Sequence, residues 1–380
     1  MERIKKTKIE HLWIDPEKRL LFMSDLHGDL RLFQKALKQV GFCSDDILFI
    51  LGDMIEKGDD DDNLAMLEYM IEFSKQDNVY LLAGNCDEIF RFILPPVDEK
   101  KFLYYALTRK HSVINDLAKR MQISLSKEMD INAFVSKIEK EYPSFYQFTD
   151  SLPDVLFLNE KMVLVHGGIA DINRIPEKAI EVLKYDRFLE TAPPQPLLMM
   201  VGHYPTRNYR SDVFNVDPIF DFRKRIIAID GGNNVVKGGQ INIVILDCLN
   251  GMNFSFQAVD HYPDHYPKYI LKEDVYHAQD NRNTNICFGQ NEVEILKRDL
   301  DFVSIRPLGL KDEMWVHHSF IYTYNGKNYC FDGTNYFMNL KKGDKISIVK
   351  LAEPYCLVKQ NGTIGLIEST YIHEDELLVD

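Results

Sequence analysis

The chain has 380 residues, of which 45% are hydrophobic and 27% are charged. Because one hydrophobic core rarely serves so long a chain, we expect two domains, and this composition excludes a disordered or fibrous protein. The 45 Lys and Arg residues against 58 Asp and Glu residues give a net charge of −13. Nucleic acid is therefore an unlikely partner, since binding to a phosphate backbone requires basic surfaces.

The six cysteines are scattered without a CxxC pair. This pattern fits reduced thiols better than a disulfide framework or a zinc ribbon. The first residues lack the apolar core of a signal peptide, and no run approaches the roughly 18 apolar residues of a membrane-spanning helix. We therefore expect a cytoplasmic protein without a membrane partner.

Short apolar runs alternate with helical patterns up to about residue 258. Continuous apolarity over four or five residues predicts strands that are buried on both faces, and amphipathic stripes between the runs predict helices. The runs are residues 20–23, 47–51, 79–82, 162–165, 197–201 and 226–229. This alternation predicts a layered α/β core.

A purely helical pattern interrupts the strand-forming runs at about residues 100–147. Asp130 stands where a helix N-cap is expected, directly before apolar residues at helical spacing. We expect this segment to be a helical cap inserted into a first domain of residues 1–258.

The composition changes beyond residue 258. Residues 259–305 are predicted to be a linker and a partly ordered region, and residues 306–380 a smaller β-rich domain, because short β-like runs there are separated by turn dipeptides. The stretches 342–349, 355–358 and 365–372 resemble a Src-homology-3-like barrel. This resemblance implies a candidate peptide or protein partner, and a domain that serves only for packing is the alternative.

Each of the first five apolar runs is followed directly by a residue type that binds metals. Ligands bind outside the carboxyl ends of strands in open α/β sheets, so these side chains can converge in one crevice. They are Asp25 and His27 after the first run, Asp53 after the second, Asn85 after the third, His166 after the fourth and His203 after the fifth.

These residue types match a site for two divalent metal ions. Carboxylate and amide oxygens together with imidazoles suit Mn, Fe or Zn. We expect Asp25, His27 and Asp53 to hold one ion, and Asp53, Asn85, His166 and His203 to hold the other, with Asp53 as the bridge. A water molecule shared by two such ions loses a proton near neutral pH and becomes a nucleophile for attack on phosphorus.

The order of the motifs resembles that of the calcineurin-like metallophosphoesterases. Within that family it is similar to the phosphoprotein phosphatase branch, which includes bacterial serine/threonine phosphatases and symmetrical diadenosine tetraphosphatases. The motifs are Asp25-x-His27-Gly28, Gly52-Asp53 with Gly58, Gly84-Asn85-Cys86-Asp87, His166-Gly167-Gly168 and Gly202-His203-x-Pro205. The resemblance covers about residues 20–250 and implies a four-layer αββα sandwich with the metals at its rim.

Two positions depart from the pattern of that branch. Lys57 stands where the branch carries a phosphate-binding arginine, and lysine keeps the charge but loses the bidentate geometry. Cys86 stands where the branch carries a histidine that acts as general acid, and a neutral thiol is a poor substitute for an imidazole. The resemblance implies a set of candidate catalytic residues, namely Asp53, Lys57, Asp87, Arg187 and Arg207, of which the two arginines are candidate phosphate contacts.

The sequence thus predicts a metal-dependent phosphoesterase that hydrolyses phosphomonoesters on a phosphoprotein. A hydrolase of dinucleoside polyphosphates or other phosphodiesters is the alternative, because Cys86 replaces the general acid. A metal- and phosphate-binding scaffold with low turnover is the alternative of a different class.

Overall fold

A computed structural model describes residues 5–59, 62–89, 98–211, 213–277, 284–299 and 301–378. Contacts between its residues divide the chain into two compact units. The first unit comprises Met1–Pro205, Pro218–Val235 and Ile241–Val259, and the second comprises Thr206–Asp217, Val236–Gln240 and Asp260–Asp380.

The described residues form mostly short strands. The first twelve are β1 Ile9–Leu12, β2 Leu20–Met23, β3 Ile47–Ile50, β4 Val79–Leu81, β5 Val155–Leu158, β6 Met162–Val165, β7 Leu198–Val201, β8 Phe214–Asn215, β9 Ile219–Asp221, β10 Ile226–Ala228, β11 Ile241–Leu246 and β12 Phe254–Val259. The others are β13 Lys268–Ile270, β14 Asn285–Ile286, β15 Val293–Asp299, β16 Phe302–Pro307, β17 Met314–His317, β18 Ile321–Tyr324, β19 Lys327–Cys330, β20 Gly333–Thr334, β21 Lys345–Lys350, β22 Tyr355–Gln360 and β23 Thr363–Glu368.

The α-helices of the described residues all precede β7. They are α1 Leu30–Val40, α2 Asp62–Phe73, α3 Glu99–Thr108, α4 Val113–Arg120, α5 Ile131–Glu141, α6 Pro143–Ser151, α7 Ala179–Leu183 and α8 Phe188–Thr191. Helices α3 to α6 fill the interval between β4 and β5. No described helix is long and apolar enough to cross a membrane.

Two sheets build the core of the first unit. One has the strand order β1-β5-β6-β7-β10-β9, and the other has the order β12-β11-β2-β3-β4. Alternate residues of a strand face opposite sides of its sheet, and Leu20 and Phe22 of β2 belong to the same buried cluster as Leu156, Leu164 and Met200 of the other sheet. The two sheets therefore share one apolar core.

Parallel pairing brings strand ends of the first unit to common edges. Strand β2 pairs in parallel with β3, and β3 with β4, while β6 pairs in parallel with β7. The segments after β2, β3 and β4 thus lie side by side, as do those after β6 and β7. These are the segments that carry the predicted metal ligands.

Several β-sheets form the second unit. The largest has the order β13-β21-β22-β23-β8, a second has the order β15-β16-β17, and two pairs are β14-β20 and β18-β19. The mixed α/β class with additional β-rich sheets is confirmed. The Src-homology-3-like barrel stays a prediction.

The observed units group the chain differently from the expected boundaries. Residues 206–217 lie in the second unit because β8 pairs with β23. Residues 260–277 and 284–299, which were expected to be linker, also lie there, since Tyr269 and Val293 are buried in its cores. The rest of that expected linker includes 278–283 and 300, which lie outside the described residues.

Candidate metal centre

The predicted ligands of the first unit sit on sharply bent segments at strand ends. Asp25, His27, Asp53 and His203 all have positive φ angles, between 47° and 67°. Non-glycine residues seldom adopt this left-handed conformation, and such strain concentrates at functional sites. Backbone hydrogen bonds hold the bends, because Asp25 N donates to Gly52 O at 3.0 Å and His27 N donates to Asp53 O at 3.0 Å.

Two glycines allow these segments to approach each other closely. A Cβ atom on Gly84 would lie 2.1 Å from Asp53 N, and one on Gly202 would lie 1.9 Å from the Ser24 hydroxyl. Both distances are far below van der Waals contact, so a larger residue at either position would push the segments apart. These glycines therefore permit the convergence of the candidate ligands.

The carboxylate of Asp53 lies between two histidines. Its Oδ1 is 3.3 Å from His166 Nε2, and its Oδ2 is 3.8 Å from His27 Nε2. The backbone amide of Cys86 also donates to Oδ1 at 2.7 Å. Asp53 belongs to two groups whose ligand atoms lie within 4.8 Å of one another, one with Asp25 and His166 and one with His27 and Cys86.

Hydrogen bonds fix the tautomers of two of the three candidate histidines, His166 and His203. His166 Nδ1 donates to the Leu51 carbonyl at 2.6 Å, which leaves Nε2 as the nitrogen with a free lone pair in the neutral ring. His203 Nε2 lies 2.8 Å from Asp186 Oδ1 and donates to that carboxylate, which leaves Nδ1. An imidazole oriented in this way by a carboxylate or carbonyl is the usual state of a metal ligand.

Two of the candidate ligands carry a buried oxygen atom that lacks a hydrogen-bond partner among the described residues, namely Asp25 Oδ1 and Asn85 Oδ1. The other oxygen of Asp25 is satisfied, since Ser24 Oγ donates to it at 2.5 Å and His203 N at 2.9 Å. A buried acceptor without a partner is costly. These oxygens therefore fit a cation, and the donor set of carboxylates, amide and imidazoles suits a divalent metal.

The protonation of the histidines reflects the buried carboxylates around them. Burial alone lowers the pKa of His166, but the carboxylates of Asp53 and Asp25 outweigh it and raise this pKa to about 10. Burial and the ammonium group of Lys57 lower the pKa of His27 to about 3. Without an ion, His166 is therefore protonated, and its positive charge balances the negative charge of the carboxylates. A bound cation can supply this positive charge instead.

Lys57 and Cys86 both lie against this cluster. Lys57 Nζ is 3.1 Å from His27 Nε2 and can donate to it. Cys86 is buried, and burial together with the carboxylate of Asp53 raises the pKa of its thiol well above the usual value. The thiol is therefore neutral at physiological pH when no metal is present.

The other predicted catalytic residues have different surroundings. Asp87 accepts hydrogen bonds from the backbone amides of Gly84 at 2.8 Å and Met54 at 2.9 Å, so its carboxylate fastens two ligand-bearing segments together. The exposed Arg187 side chain is paired with Glu190 at 2.6 Å. The structure thus gives Arg187 another partner, and its phosphate contact stays a prediction.

Arg207 belongs to the second unit. Its guanidinium is buried, packs 3.9 Å over the ring of Phe214 and has Nε 3.8 Å from Asp332 Oδ1. A phosphate contact by Arg207 stays a prediction.

Sequence reasoning missed several residues that shape the site. Asp186 orients His203 from a distance of 2.8 Å, whereas the sequence predicts only its neighbour Arg187 as a site residue. Asp230 is buried, and burial followed by the charge of Asp25 raises its pKa well above the usual value. Asn234 donates to the His27 carbonyl at 3.0 Å. The only sequence signal for Asp230 and Asn234 is that both lie within five residues after the apolar run 226–229.

The model of the calcineurin-like phosphoesterase family matches residues 18–230, which is more than half of the chain. The chain belongs to the calcineurin-like phosphoesterase family. This phosphoesterase is thus a hydrolase of phosphoric ester bonds, and its family uses divalent metal ions. The predicted resemblance to the calcineurin-like family is confirmed, and the matched range contains all six candidate metal ligands.

Several solved structures are similar to the phosphoesterase. A serine/threonine phosphatase from Saccharomyces cerevisiae is 10% identical, with a TM-score of 0.43 and coverage of 67% of this chain and 84% of that chain. A metallophosphoesterase from Sphaerobacter thermophilus is 16% identical, with a TM-score of 0.35 and coverage of 64% and 89%. A cold-active protein-tyrosine phosphatase of a Shewanella species is 15% identical, with a TM-score of 0.37 and coverage of 68% and 84%. The comparison with curated proteins found no match.

Proposed function

We propose that the phosphoesterase hydrolyses phosphomonoesters, such as those of phosphoserine and phosphothreonine, at a dinuclear centre of Mn, Fe or Zn. The ligands would be Asp25, His27, Asp53, Asn85, His166 and His203. The position of Asp53 is the observation that carries this proposal, because its two oxygens face different histidines at 3.3 and 3.8 Å. Such an arrangement fits a carboxylate that bridges two ions.

The two ions would supply an activated water molecule and Lewis acidity toward the phosphoryl oxygens. The residues of the chain hold and orient the reacting groups. Asp186 keeps His203 in one tautomer, and the Lys57 ammonium supplies a positive charge for a phosphoryl oxygen beside His27. Lysine does this as a point charge, without the paired hydrogen bonds of an arginine.

The position of Cys86 supports a second candidate substrate class. An alkoxide leaving group needs a proton from a general acid, and the raised pKa of the Cys86 thiol makes it a poor proton donor. A leaving phosphate, as in a dinucleoside polyphosphate, departs without that proton. Cleavage of such anhydrides or of phosphodiesters with good leaving groups is therefore the alternative.

One experiment separates these candidates. The metal-free protein is reconstituted with Mn, Fe or Zn, and turnover is compared on a phosphoserine peptide, p-nitrophenyl phosphate, its bis-ester and diadenosine tetraphosphate. We expect the monoesters to be hydrolysed fastest. Faster cleavage of the bis-ester or the tetraphosphate supports the alternative, and phosphate binding with negligible turnover for every metal supports a binding scaffold.

The partner of the second unit is a separate proposal. A peptide ligand of residues 306–380 is supported only by the resemblance of the sequence to a Src-homology-3-like barrel. Retention of proline-rich peptides by the full chain on an affinity matrix would test it.

A further inference from the structure

The segment that carries Lys57 is held in an unfavourable backbone conformation. Glu56 and Lys57 have φ angles of 74° and 69°, and two consecutive residues with side chains rarely adopt the left-handed region. Such a conformation persists only where the surroundings enforce it. The contacts of these two residues therefore show what fixes the position of the lysine.

Three contacts connect this segment to α3, to α4 and to the turn between them. The hydroxyl of Tyr105 in α3 donates to Glu56 Oε2, and the amide of Val113 at the start of α4 donates to Glu56 Oε1 at 2.9 Å. The amide of Lys57 donates to the His111 carbonyl at 3.1 Å. Both oxygens of the fully buried Glu56 carboxylate are thus occupied by the helical insert.

The next residues hold the other end of the segment. Asn63 Oδ1 accepts a hydrogen bond from Gly58 N at 2.9 Å, and Asn63 Nδ2 donates to the Gly58 carbonyl at 3.2 Å. Residues 56–58 are therefore fixed on both sides, and the side chain of Lys57 leaves this clamp toward His27. A shift of the insert would move the base of the lysine side chain.

We propose that Tyr105 and Glu56 are positioning residues, through which helices α3 and α4 set the place of the Lys57 ammonium at the metal centre. The inference rests on the proposed function, in which Lys57 contacts a phosphoryl oxygen. Loss of the Tyr105 hydroxyl leaves Glu56 Oε2 buried without this donor, and relaxation of the carboxylate then releases the strained backbone of Lys57. The fold of the insert does not depend on this bond, because the apolar residues of α3 and α4 remain buried.

The test compares Tyr105→Phe with Tyr104→Phe. Tyr104 is the preceding residue of α3 and is 63% exposed, and its substitution also removes one tyrosine hydroxyl. We expect Tyr105→Phe to weaken binding of inorganic phosphate to the metal-loaded protein about tenfold and to raise KM more than it lowers kcat. The reason is that displacement of a group that binds the substrate lowers catalytic efficiency about 10- to 100-fold. Metal content should not change, and Tyr104→Phe should behave as wild type.

A double-mutant cycle with Lys57→Met decides whether Tyr105 acts through the lysine. If it does, adding Tyr105→Phe to Lys57→Met causes no further loss of phosphate affinity. Additive losses, or equal phosphate affinity in the two tyrosine variants, would overturn the inference. Phosphate affinity is measured by calorimetry without turnover, so a protein that binds phosphate but hydrolyses no ester contradicts the proposed function and still tests the role of Tyr105.

Discussion

The ammonium nitrogen of Lys57 lies 3.1 Å from Nε2 of His27. The lysine thus places a positive charge beside the lone pair that would bind a metal ion. Charges a few ångströms apart inside a protein repel each other by several kcal/mol, about 4 kcal/mol at 4 Å with an effective dielectric constant of 20. In the proposed dinuclear centre, an ion held by Asp25, His27 and Asp53 would therefore be bound more weakly than the other ion.

Replacement of Lys57 by Met should strengthen binding of this ion at least about tenfold, because the repulsion is lost. The same variant should bind inorganic phosphate more weakly. Calorimetric titration of the metal-free protein with Mn or Zn measures the first effect, and Lys57→Arg is the control that keeps the charge. Unchanged metal affinity in Lys57→Met would show that the lysine does not compete with the ion.

Asp53→Asn should reduce the metal content and lower turnover of p-nitrophenyl phosphate at least about 100-fold. Loss of a group that only orients a metal ligand lowers metal affinity or activity about 10- to 100-fold. The effect at Asp53 should be at least as large, because Asp53 faces both histidines directly. Metal analysis and kinetics on the same preparation give the two quantities. Asp45→Asn is a matched control, since the side chain of Asp45 is 90% exposed. Full metal content with full turnover in Asp53→Asn would refute the bridging role.

Asp186→Asn should weaken metal binding about 10- to 100-fold while the fold is kept, because Asp186 orients His203 from a half-exposed position. The stability of the metal-free protein should change little. Competition with a chelating dye measures the affinity, and Glu190→Gln removes a nearby exposed carboxylate as the control. The prediction fails if the two variants have the same metal affinity.

The buried carboxyl of Glu56 should make the metal-free protein less stable as the pH rises. Burial raises the pKa of Glu56 from 4.5 to about 7, so the folded state binds more protons than the unfolded state between these values. Stability is then highest below about pH 4.5 and is lost as the pH rises through 7, by up to about 3 kcal/mol. In urea unfolding at pH 5 and pH 7.5, Glu56→Gln should reduce the difference between the two free energies. If Glu56→Gln leaves the difference between the free energies of unfolding at the two pH values unchanged, the raised pKa of Glu56 is not its cause.

An ion cluster in the second unit gives a prediction about stability. Lys359 Nζ is 3.0 Å from Asp260 Oδ1, and Lys268 binds Asp260 Oδ2. Burial raises the pKa of Asp260, but the two lysines outweigh it and hold this pKa well below its usual value. Asp260→Asn should lower the free energy of unfolding by about 3 to 5 kcal/mol, because it leaves two buried ammonium groups without their carboxylate. Asp274→Asn, at an exposed carboxylate, should have little effect in the same thermal or urea unfolding experiment.

The sequence predicted the strands near the metal centre well, because strands buried on both faces are continuous apolar runs. The run 20–23 is β2, and the run 162–165 is β6. The helix N-cap at Asp130 is also confirmed, since its side chain accepts a hydrogen bond from Ala133 N at 2.9 Å. These features depend on neighbours in the chain, which a sequence displays directly.

Features that depend on distant residues could not be predicted in the same way. Asp186 supports His203 across 17 positions of the chain, and Tyr105 supports Glu56 across 49. Exposed or loop carboxylates are common, and nothing in the local pattern distinguishes Asp186 from Asp171. The six candidate ligands could be proposed because each follows a recognisable strand, whereas the residues that support them follow no such rule.

The pairing of β8 with β23 limits where the chain can be truncated. The chain passes from the first unit to the second at residue 206, returns, and passes again at residues 236 and 260. A truncated protein that ends at residue 259 would keep Phe214, Val216 and Val236 but lose the apolar residues that surround them. Such a fragment should aggregate on expression. During synthesis of the full chain, about 150 residues separate Phe214 from Thr363, where its neighbouring strand begins, so β8 stays unpaired until that strand has been made.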